Sequence, residues 1–275
     1  MSNKKYHGVV VPAITPLKED RSLDTAAVER LLPSFPHPFI LGTTGEAPSL
    51  PRQLKERYIR LAGKIKTKGQ QLYVGISSNC PDESVEWARV AFGEGADLVV
   101  CNLPSYFTLT NDQMRRHFEW LADRVNGPLV IYNIPSTTHH SIPLSIIDEL
   151  SRHPNVVGIK DSERNEERLH AALKLWAGRP DFSHFLGWSA KSGESLLNGG
   201  DGLVPSNGNL DVTVYVELEK AAARRDLAEV DRLQKMADEL GASYQTGKTL
   251  GESLAALKAL MHRRGLCEPW MMPPL

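Results

Sequence analysis

Four short polar segments of this sequence each follow an apolar run and carry side chains that can transfer protons or attack a carbonyl carbon. They are residues 42–46 (GTTGE), 102–106 (NLPSY), 132–135 (YNIP) and 158–162 (GIKDS). Threonine and tyrosine hydroxyls can hold a carboxylate and relay protons, and a lysine amine can attack a ketone. If the ends of the apolar runs meet in the fold, these groups form one reaction site.

Lys160 is the unusual member of this set because it ends the apolar run 156–159, a position from which lysine is usually excluded. Partial burial would disfavour its ammonium form and leave a neutral amine that can attack a ketone. The protonated imine so formed withdraws electrons from the neighbouring carbon, and a carbon–carbon bond beside it can then form or break. A tyrosine such as Tyr132 could shuttle the protons.

Each of these residues also has a purely structural interpretation that the residue pattern leaves open. Lys160 could reach solvent at the rim of the fold or pair with Asp161, and Tyr132 could be a core tyrosine. Residues 42–45 could form merely a tight turn, although their glycines would let backbone N–H groups approach a carboxylate.

The elements that would position these residues are eight apolar runs separated by amphipathic segments. The runs cover residues 8–11, 38–41, 72–76, 97–101, 128–132, 156–160, 184–186 and 202–204. Near-continuous apolar character is typical of parallel strands buried on both faces, and their spacing of roughly 20 to 35 residues is that of strand–helix units. Eight units predict an α/β fold, a (β/α)8 TIM barrel, with a doubly wound open sheet as the alternative.

Apolar stripes predict helices between these runs and three more after the last one. The former lie near residues 51–67, 81–92, 110–121 and 142–150, the third beginning with a capping box of Thr110 and Gln113. The latter lie near residues 211–224, 226–241 and 249–264, too many for one closing helix. We therefore expect the barrel at residues 1–209 and a C-terminal helical subdomain, packed on the barrel as an extension, at residues 210–275.

The charge balance and the cysteines exclude several classes of function. The 275 residues include 32 Lys and Arg against 33 Asp and Glu, for a net charge of −1, which predicts no binding to nucleic acid or to an anionic membrane. Three separated cysteines fit neither a disulfide framework nor a zinc site, and we expect no metal. Without a secretory signal or a run of roughly 20 apolar residues, a cytoplasmic protein is expected.

In their order and spacing, the motifs resemble the dihydrodipicolinate synthase and N-acetylneuraminate lyase family of class I pyruvate-dependent aldolases. The resemblance runs from residues 12–16 (PAITP) to residues 273–275 (PPL) and includes the segment 199–202 (GGDG) with Asn209 behind it. It implies a TIM-barrel enzyme without a cofactor. Its partners would be a small-molecule 2-oxo acid, an aldehyde and further copies of itself in a homo-oligomer, a tetramer or dimer.

The resemblance also implies catalytic roles for four residues. Lys160 matches the lysine that forms the Schiff base, and Tyr132 matches the tyrosine that shuttles protons and contacts the substrate's carboxyl end. Thr43 matches a threonine of the proton relay. Tyr106 matches a tyrosine that, in many members, crosses a subunit interface to complete the relay in a neighbour.

Four further residues are expected to bind substrate. Thr44 matches the second threonine of the pair that holds the 2-oxo acid's carboxylate, in the turn that Gly45 completes. Gly187 matches a glycine beside the site, and Val204 matches an aliphatic residue that lines the pocket.

Departures from the family's patterns concern the second substrate. Dihydrodipicolinate synthases generally follow the tyrosine motif with an arginine that binds a substrate carboxylate, where this chain has Thr137. Sialic-acid lyases usually carry Asp-Glu after the seventh-strand glycine, where this chain has Trp188 and Ser189. His139 and His140 follow the tyrosine motif where a glycine is common, and either could meet a substrate hydroxyl.

These departures predict an intact 2-oxo acid half-site beside an unfamiliar second half-site. We expect a Schiff-base aldolase or lyase that cleaves a 2-keto-3-deoxy sugar acid, or a similar 4-hydroxy-2-oxo acid, to pyruvate and an aldehyde. One alternative is a 4-hydroxy-tetrahydrodipicolinate (dihydrodipicolinate) synthase that condenses pyruvate with aspartate semialdehyde, and another is a dehydratase that uses the same imine. From other classes, the alternatives are a non-catalytic barrel that binds a 2-oxo acid and a metal-dependent barrel enzyme.

Overall fold

Eight parallel strands close into a barrel in the computed structural model, which describes residues 4–275. Each strand pairs with its neighbours in chain order, and β8 pairs with β1. The strands are β1 (Gly8–Pro12), β2 (His37–Ile40), β3 (Tyr73–Gly75), β4 (Leu98–Asn102), β5 (Leu129–Asn133), β6 (Val156–Asp161), β7 (Ser183–Leu186) and β8 (Gly202–Leu203). Every predicted run overlaps one of these strands, and the predicted TIM barrel is confirmed.

Helices surround the barrel and extend beyond it at the C-terminal end of the chain. They are α1 (Thr25–Leu31), α2 (Arg52–Ile65), α3 (Pro81–Gly93), α4 (Asn111–Arg124), α5 (Pro135–Thr138), α6 (Leu144–Leu150), α7 (Glu166–Trp176), α8 (Ser192–Leu197), α9 (Thr213–Ala223), α10 (Leu227–Gln245) and α11 (Leu250–Arg263). No helix within residues 4–275 has both the length and the apolar character needed to cross a membrane.

Local sequence signals account for where several helices begin. The capping box predicted before α4 is present, because Gln113 N donates to Thr110 Oγ1 at 3.3 Å and Thr110 N donates to Gln113 Oε1 at 2.8 Å. The prediction for α6 was wrong at its start. Pro143 is its N-cap residue, so the helix begins at Leu144 and leaves Ile142 outside it.

Alternation along the strands divides the core into a barrel interior and a layer under the helices. In β5, Val130 and Tyr132 belong to the interior cluster, while Leu129 and Ile131 belong to the outer layer. The β5–β6 register places Tyr132 opposite Lys160. A tyrosine and a lysine at matching positions of adjacent strands therefore project into the same end of the barrel.

The last three helices pack in sequence onto the barrel. Helix α9 contacts β1 and α8, α10 contacts α9, and α11 contacts α10. The contact with β1 makes α9 part of the helical layer around the barrel. The boundary between residues 209 and 210 stays a prediction.

A buried ion pair joins α11 to the turn after β2. Lys258 Nζ lies 2.6 Å from Glu46 Oε1, and both side chains are 0% exposed. The lysine also donates to Trp270 O at 2.6 Å, and Met272 N donates to Glu46 Oε2 at 2.8 Å. Glu46 has a left-handed backbone with φ of 58°, a conformation that costs on the order of 1 kcal/mol or more and persists only when its surroundings hold it.

Replacing Lys258 with alanine should lower the free energy of unfolding by about 3–5 kcal/mol, because the Glu46 carboxylate is then buried without its partner. Chemical denaturation of wild type and variant measures the change. The control is Lys220→Ala, which breaks an exposed pair with Glu217 and should cost less than about 1 kcal/mol. Equal losses in the two variants would contradict a buried, partner-dependent Glu46.

Candidate active site

The carboxyl ends of the strands open into a cavity of about 790 Å³. Its floor and walls include six of the eight residues predicted for the site: Thr43, Thr44, Tyr132, Lys160, Gly187 and Val204. These residues lie at or just after the carboxyl ends of five different strands, and they meet because parallel strands of a barrel end on the same face.

Lys160 lies in this cavity beside two aromatic rings. Its Nζ is 3.8 Å from the centroid of the Tyr132 ring and 4.9 Å from that of Phe39, and the residue is only 5% exposed. Within residues 4–275, no carboxylate oxygen lies within 4.0 Å of Lys160 Nζ. The amine is therefore enclosed among aromatic surfaces without a fixed counter-charge.

Asp161, the neighbour that could have paired with Lys160, is committed elsewhere. It is buried on the opposite side of β6, where its carboxylate accepts hydrogen bonds from Arg168 Nε at 2.7 Å and from Asn133 Nδ2 at 2.9 Å. Arg168 also donates to Ile142 O at 2.8 Å. This network fixes the end of β6 and leaves the Lys160 side chain inside the barrel.

The Tyr132 hydroxyl is surrounded by groups that stabilise its deprotonated form. Burial by itself raises the pKa of Tyr132, but the charge of Lys160 and hydrogen bonds with Lys160, Thr43 and Ser162 lower this pKa below its usual value. A phenol with a lowered pKa gives up its proton more readily and can regain it from a neighbouring group. The hydroxyl is therefore suited to shuttle protons to and from the lysine.

The turn at residues 42–45 presents two threonines to the cavity. Gly45 N donates to Gly42 O at 3.1 Å, and Thr15 Oγ1 donates to Gly45 O at 2.6 Å. Gly45 itself does not line the cavity. A Cβ at this position would lie 3.1 Å from Ala13 O. The absence of a side chain at Gly45 therefore lets the turn pack closely against the chain that follows β1.

Gly187 is needed for space beside the lysine strand. A Cβ there would lie 2.1 Å from Ser162 Oγ, the hydroxyl that contacts Tyr132. Any side chain at this position would displace the Ser162 hydroxyl from its place beside Tyr132. No sequence argument singled out Ser162, although it is the second residue after Lys160.

Tyr106 is the predicted catalytic residue that this single chain does not bring to the cavity. It is 80% exposed and packs edge-to-face on Phe107, itself 69% exposed, at a centroid distance of 5.0 Å. Both belong to the loop between β4 and α4, and neither lines the cavity. Its predicted part in a neighbouring subunit stays a prediction.

Some of the residues that depart from the family's patterns line the cavity, and others do not. Trp188 and Ser189 line the cavity, whereas Thr137, His139 and His140 do not. His140 is buried, and its Nε2 accepts a hydrogen bond from Leu109 N at 2.7 Å. A backbone partner thus occupies this histidine.

The outer part of the cavity contains polar residues that the motifs did not predict. They come from the loop after β6, from α10 and from the segment between α10 and α11: Glu163, Arg164, Asp238, Tyr244, Gln245 and Lys248. Helix α11 adds Leu250, Ser253 and Leu254 to the lining. The C-terminal helices therefore help to form the site. Of the described residues, no group of three or more His, Cys, Asp or Glu side chains is arranged to hold a metal ion.

Known proteins of similar sequence and structure share this architecture. The model of the dihydrodipicolinate synthetase family matches residues 5–275. An uncharacterized DapA-like lyase of Pyrococcus abyssi is 30% identical over 274 residues, which cover 97% of this chain and 91% of the relative. A 4-hydroxy-tetrahydrodipicolinate synthase of Acidiphilium cryptum is 31% identical over 235 residues, which cover 81% of this chain and 77% of the relative.

A solved structure agrees over almost the whole chain. Dihydrodipicolinate synthase from Bacteroides thetaiotaomicron superposes with a TM-score of 0.93 at 31% identity, covering 99% of this chain and 94% of that chain. The barrel, the matching motifs and these relatives lead to one conclusion: this chain belongs to the dihydrodipicolinate synthetase family.

Proposed function

We propose that this protein is a Schiff-base aldolase or lyase that uses Lys160 to activate pyruvate or a closely related 2-oxo acid. The observation that carries the proposal is the enclosed Lys160 amine, which has no carboxylate partner and lies against the phenol of Tyr132. A structural lysine at this depth would be expected to have an anionic partner. A neutral amine beside a proton-transfer group is what attack on a ketone requires.

In the proposed reaction, Lys160 Nζ attacks C2 of the 2-oxo acid while Thr43 and Thr44 hold its carboxylate. Tyr132 transfers protons as the C2 oxygen leaves as water, and a protonated imine forms. In the cleavage direction, a base removes the proton of the 4-hydroxyl and the C3–C4 bond breaks. The bonding electrons move to the imine nitrogen, the aldehyde leaves, and an enamine remains. Protonation at C3 and hydrolysis then release pyruvate and the free amine.

For the second substrate, we favour the aldehyde half of a 2-keto-3-deoxy sugar acid or a similar 4-hydroxy-2-oxo acid. Thr137 stands where synthases of the family generally carry a carboxylate-binding arginine, and it does not line the cavity. The alternative is condensation of pyruvate with aspartate semialdehyde, the activity for which the Acidiphilium relative is named. Arg164, an arginine from another loop of the cavity, is the feature that supports this alternative.

We also propose that the protein acts in the cytoplasm as a homo-oligomer, a tetramer or dimer. The exposed aromatic pair of Tyr106 and Phe107 supports this proposal, since large aromatic side chains are enriched in protein interfaces. An interface at this loop would bury apolar surface that a single chain leaves in water.

Borohydride reduction in the presence of pyruvate tests the proposed imine. We expect a stable adduct on the peptide that contains Lys160, and none in the Lys160→Ala variant, because only a lysine amine forms the reducible bond. Peptide mass spectrometry locates the adduct. The control is Lys191→Ala, which removes a lysine ion-paired with Glu166 and should leave adduct formation intact. A folded wild-type protein that forms no adduct would favour the non-catalytic barrel.

The Tyr132→Phe variant should form the pyruvate imine about 10²-fold more slowly, or slower still, since loss of water from the tetrahedral adduct requires a proton donor. Adduct yield after timed additions of borohydride measures the rate. The matched control is Tyr73→Phe, a buried tyrosine of the barrel interior whose hydroxyl bonds to Gln71 at 3.3 Å. If Tyr132→Phe and Tyr73→Phe react at similar rates, another group or water carries the protons.

A further inference from the structure

Two cationic side chains at the outer part of the cavity have no acidic partner. Arg164 follows β6 and Lys248 precedes α11, and both are exposed and line the cavity. Lys248 Nζ has only a long contact, 3.5 Å, with Thr246 O. Throughout residues 4–275, neither Arg164 nor Lys248 has a carboxylate oxygen within 4.0 Å of its charged group.

The two carboxylates of the same region are already engaged. Glu163 accepts hydrogen bonds from Ser141 Oγ at 2.6 Å and from Asn133 Nδ2 at 3.0 Å. Asp238 accepts one from Gln234 Nε2 at 2.8 Å. Glu163 also lies 3.5 Å from Arg168 Nε, and neither carboxylate is ion-paired with Arg164 or Lys248. The outer part of the cavity therefore offers two cations without an acidic partner.

Neutral hydrogen-bonding groups complete this outer region. The Tyr244 hydroxyl lies 2.7 Å from Ser206 Oγ and accepts from Gln245 Nε2 at 2.8 Å. Burial raises the pKa of Tyr244, and the hydrogen bonds with Ser206 and Gln245 and the charge of Arg164 oppose that rise. Tyrosine, serine and amide groups of this kind suit the hydroxyls of a substrate that spans the cavity.

The inner region already provides for the first carboxylate of a 2-oxo acid through Thr43 and Thr44. Arg164 lines the cavity from the loop after β6, and Lys248 lines it from the segment between α10 and α11. A substrate held covalently at Lys160 would direct its far end toward them. A guanidinium can bind a carboxylate or phosphate in bidentate fashion, and a lysine adds a point charge.

We propose that Arg164 and Lys248 bind an anionic group, a carboxylate or a phosphate, at the end of the aldehyde remote from its reacting carbon. The inference rests on the proposed function and narrows its substrate class. The 4-hydroxy-2-oxo acid that is formed or cleaved carries a second negative charge at its distal end. Thr137 stands where synthases of the family generally carry a carboxylate-binding arginine. In this chain, Arg164 and Lys248 would supply the positive charge from other parts of the cavity.

Paired aldehydes that differ in distal charge test this inference. The first pair is glyceraldehyde 3-phosphate, which is anionic, and glyceraldehyde, which is neutral. The second pair is succinic semialdehyde, which is anionic, and butanal, which is neutral. Each aldehyde is combined with pyruvate, and its kcat/KM is measured from pyruvate consumption. At least one anionic aldehyde should exceed its neutral counterpart by about tenfold or more, the scale of a charged hydrogen bond. A higher kcat/KM for the anionic aldehyde of the first pair identifies a phosphate as the bound group. A higher kcat/KM for that of the second pair identifies a carboxylate.

The variant Arg164→Gln should lower kcat/KM for the preferred anionic aldehyde by about 10- to 100-fold and leave the neutral one within about twofold. Arg164→Lys should keep part of the preference, and Lys248→Gln should reduce it less than Arg164→Gln. The matched control is Arg89→Gln, which removes an exposed arginine on α3, outside the cavity, and should change neither value.

Two results would overturn the inference: a wild-type protein that does not prefer either anionic aldehyde, or an Arg164→Gln variant equally impaired with charged and neutral aldehydes. The borohydride adduct with pyruvate separates these failures from failure of the proposed function. If the adduct forms in wild type and in Arg164→Gln but no charge preference exists, only the anion site is refuted. If wild type forms no adduct, the Schiff-base function itself is refuted.

Discussion

The Lys160 amine lies 3.8 Å from the centre of the Tyr132 ring, inside a barrel whose other interior side chains are mainly apolar or aromatic. A lysine amine in such surroundings loses hydration, and no carboxylate of the described chain lies within 4.0 Å of it. Its Nζ instead lies over the electron-rich Tyr132 ring and lines the open cavity. In the proposed function, the same enclosure presents this amine to a 2-oxo acid, and the surrounding elements hold that geometry.

Two structural devices outside the cavity keep this geometry in place. On β6, the Asp161–Arg168 pair takes up the carboxylate that could have neutralised Lys160. Behind the threonine turn, the Glu46–Lys258 pair connects the turn after β2 to α11 and to the chain that follows it. Helix α11 thus contributes to both halves of the site, since its first turn also lines the outer cavity. The C-terminal helices therefore form the walls of the cavity together with the ends of the strands.

The sequence was sufficient to predict the barrel and the inner half of the site. Strands buried on both faces need continuous apolar runs, and a polar residue at the end of such a run must lie at the mouth, as Lys160 and Tyr132 do. The outer half could not be predicted in this way. Arg164 lies on the loop after β6, whereas Tyr244 lies on α10 and Lys248 lies between α10 and α11, far along the chain; only the packing of these helices brings them to the same cavity. The contact between Gly187 and Ser162, and the position of Tyr106 away from the cavity, likewise depend on packing between elements.

The most direct test of the Schiff-base mechanism is exchange of the methyl protons of pyruvate in D2O, monitored by proton NMR. An imine at Lys160 acidifies C3, and a proton shuttle then exchanges its hydrogens with solvent without any second substrate. The proposed mechanism predicts enzyme-dependent loss of the methyl signal in wild type, slower loss in Tyr132→Phe, and only the uncatalysed rate in Lys160→Ala. Exchange at the wild-type rate in Lys160→Ala, or none in a folded wild-type protein, would contradict it.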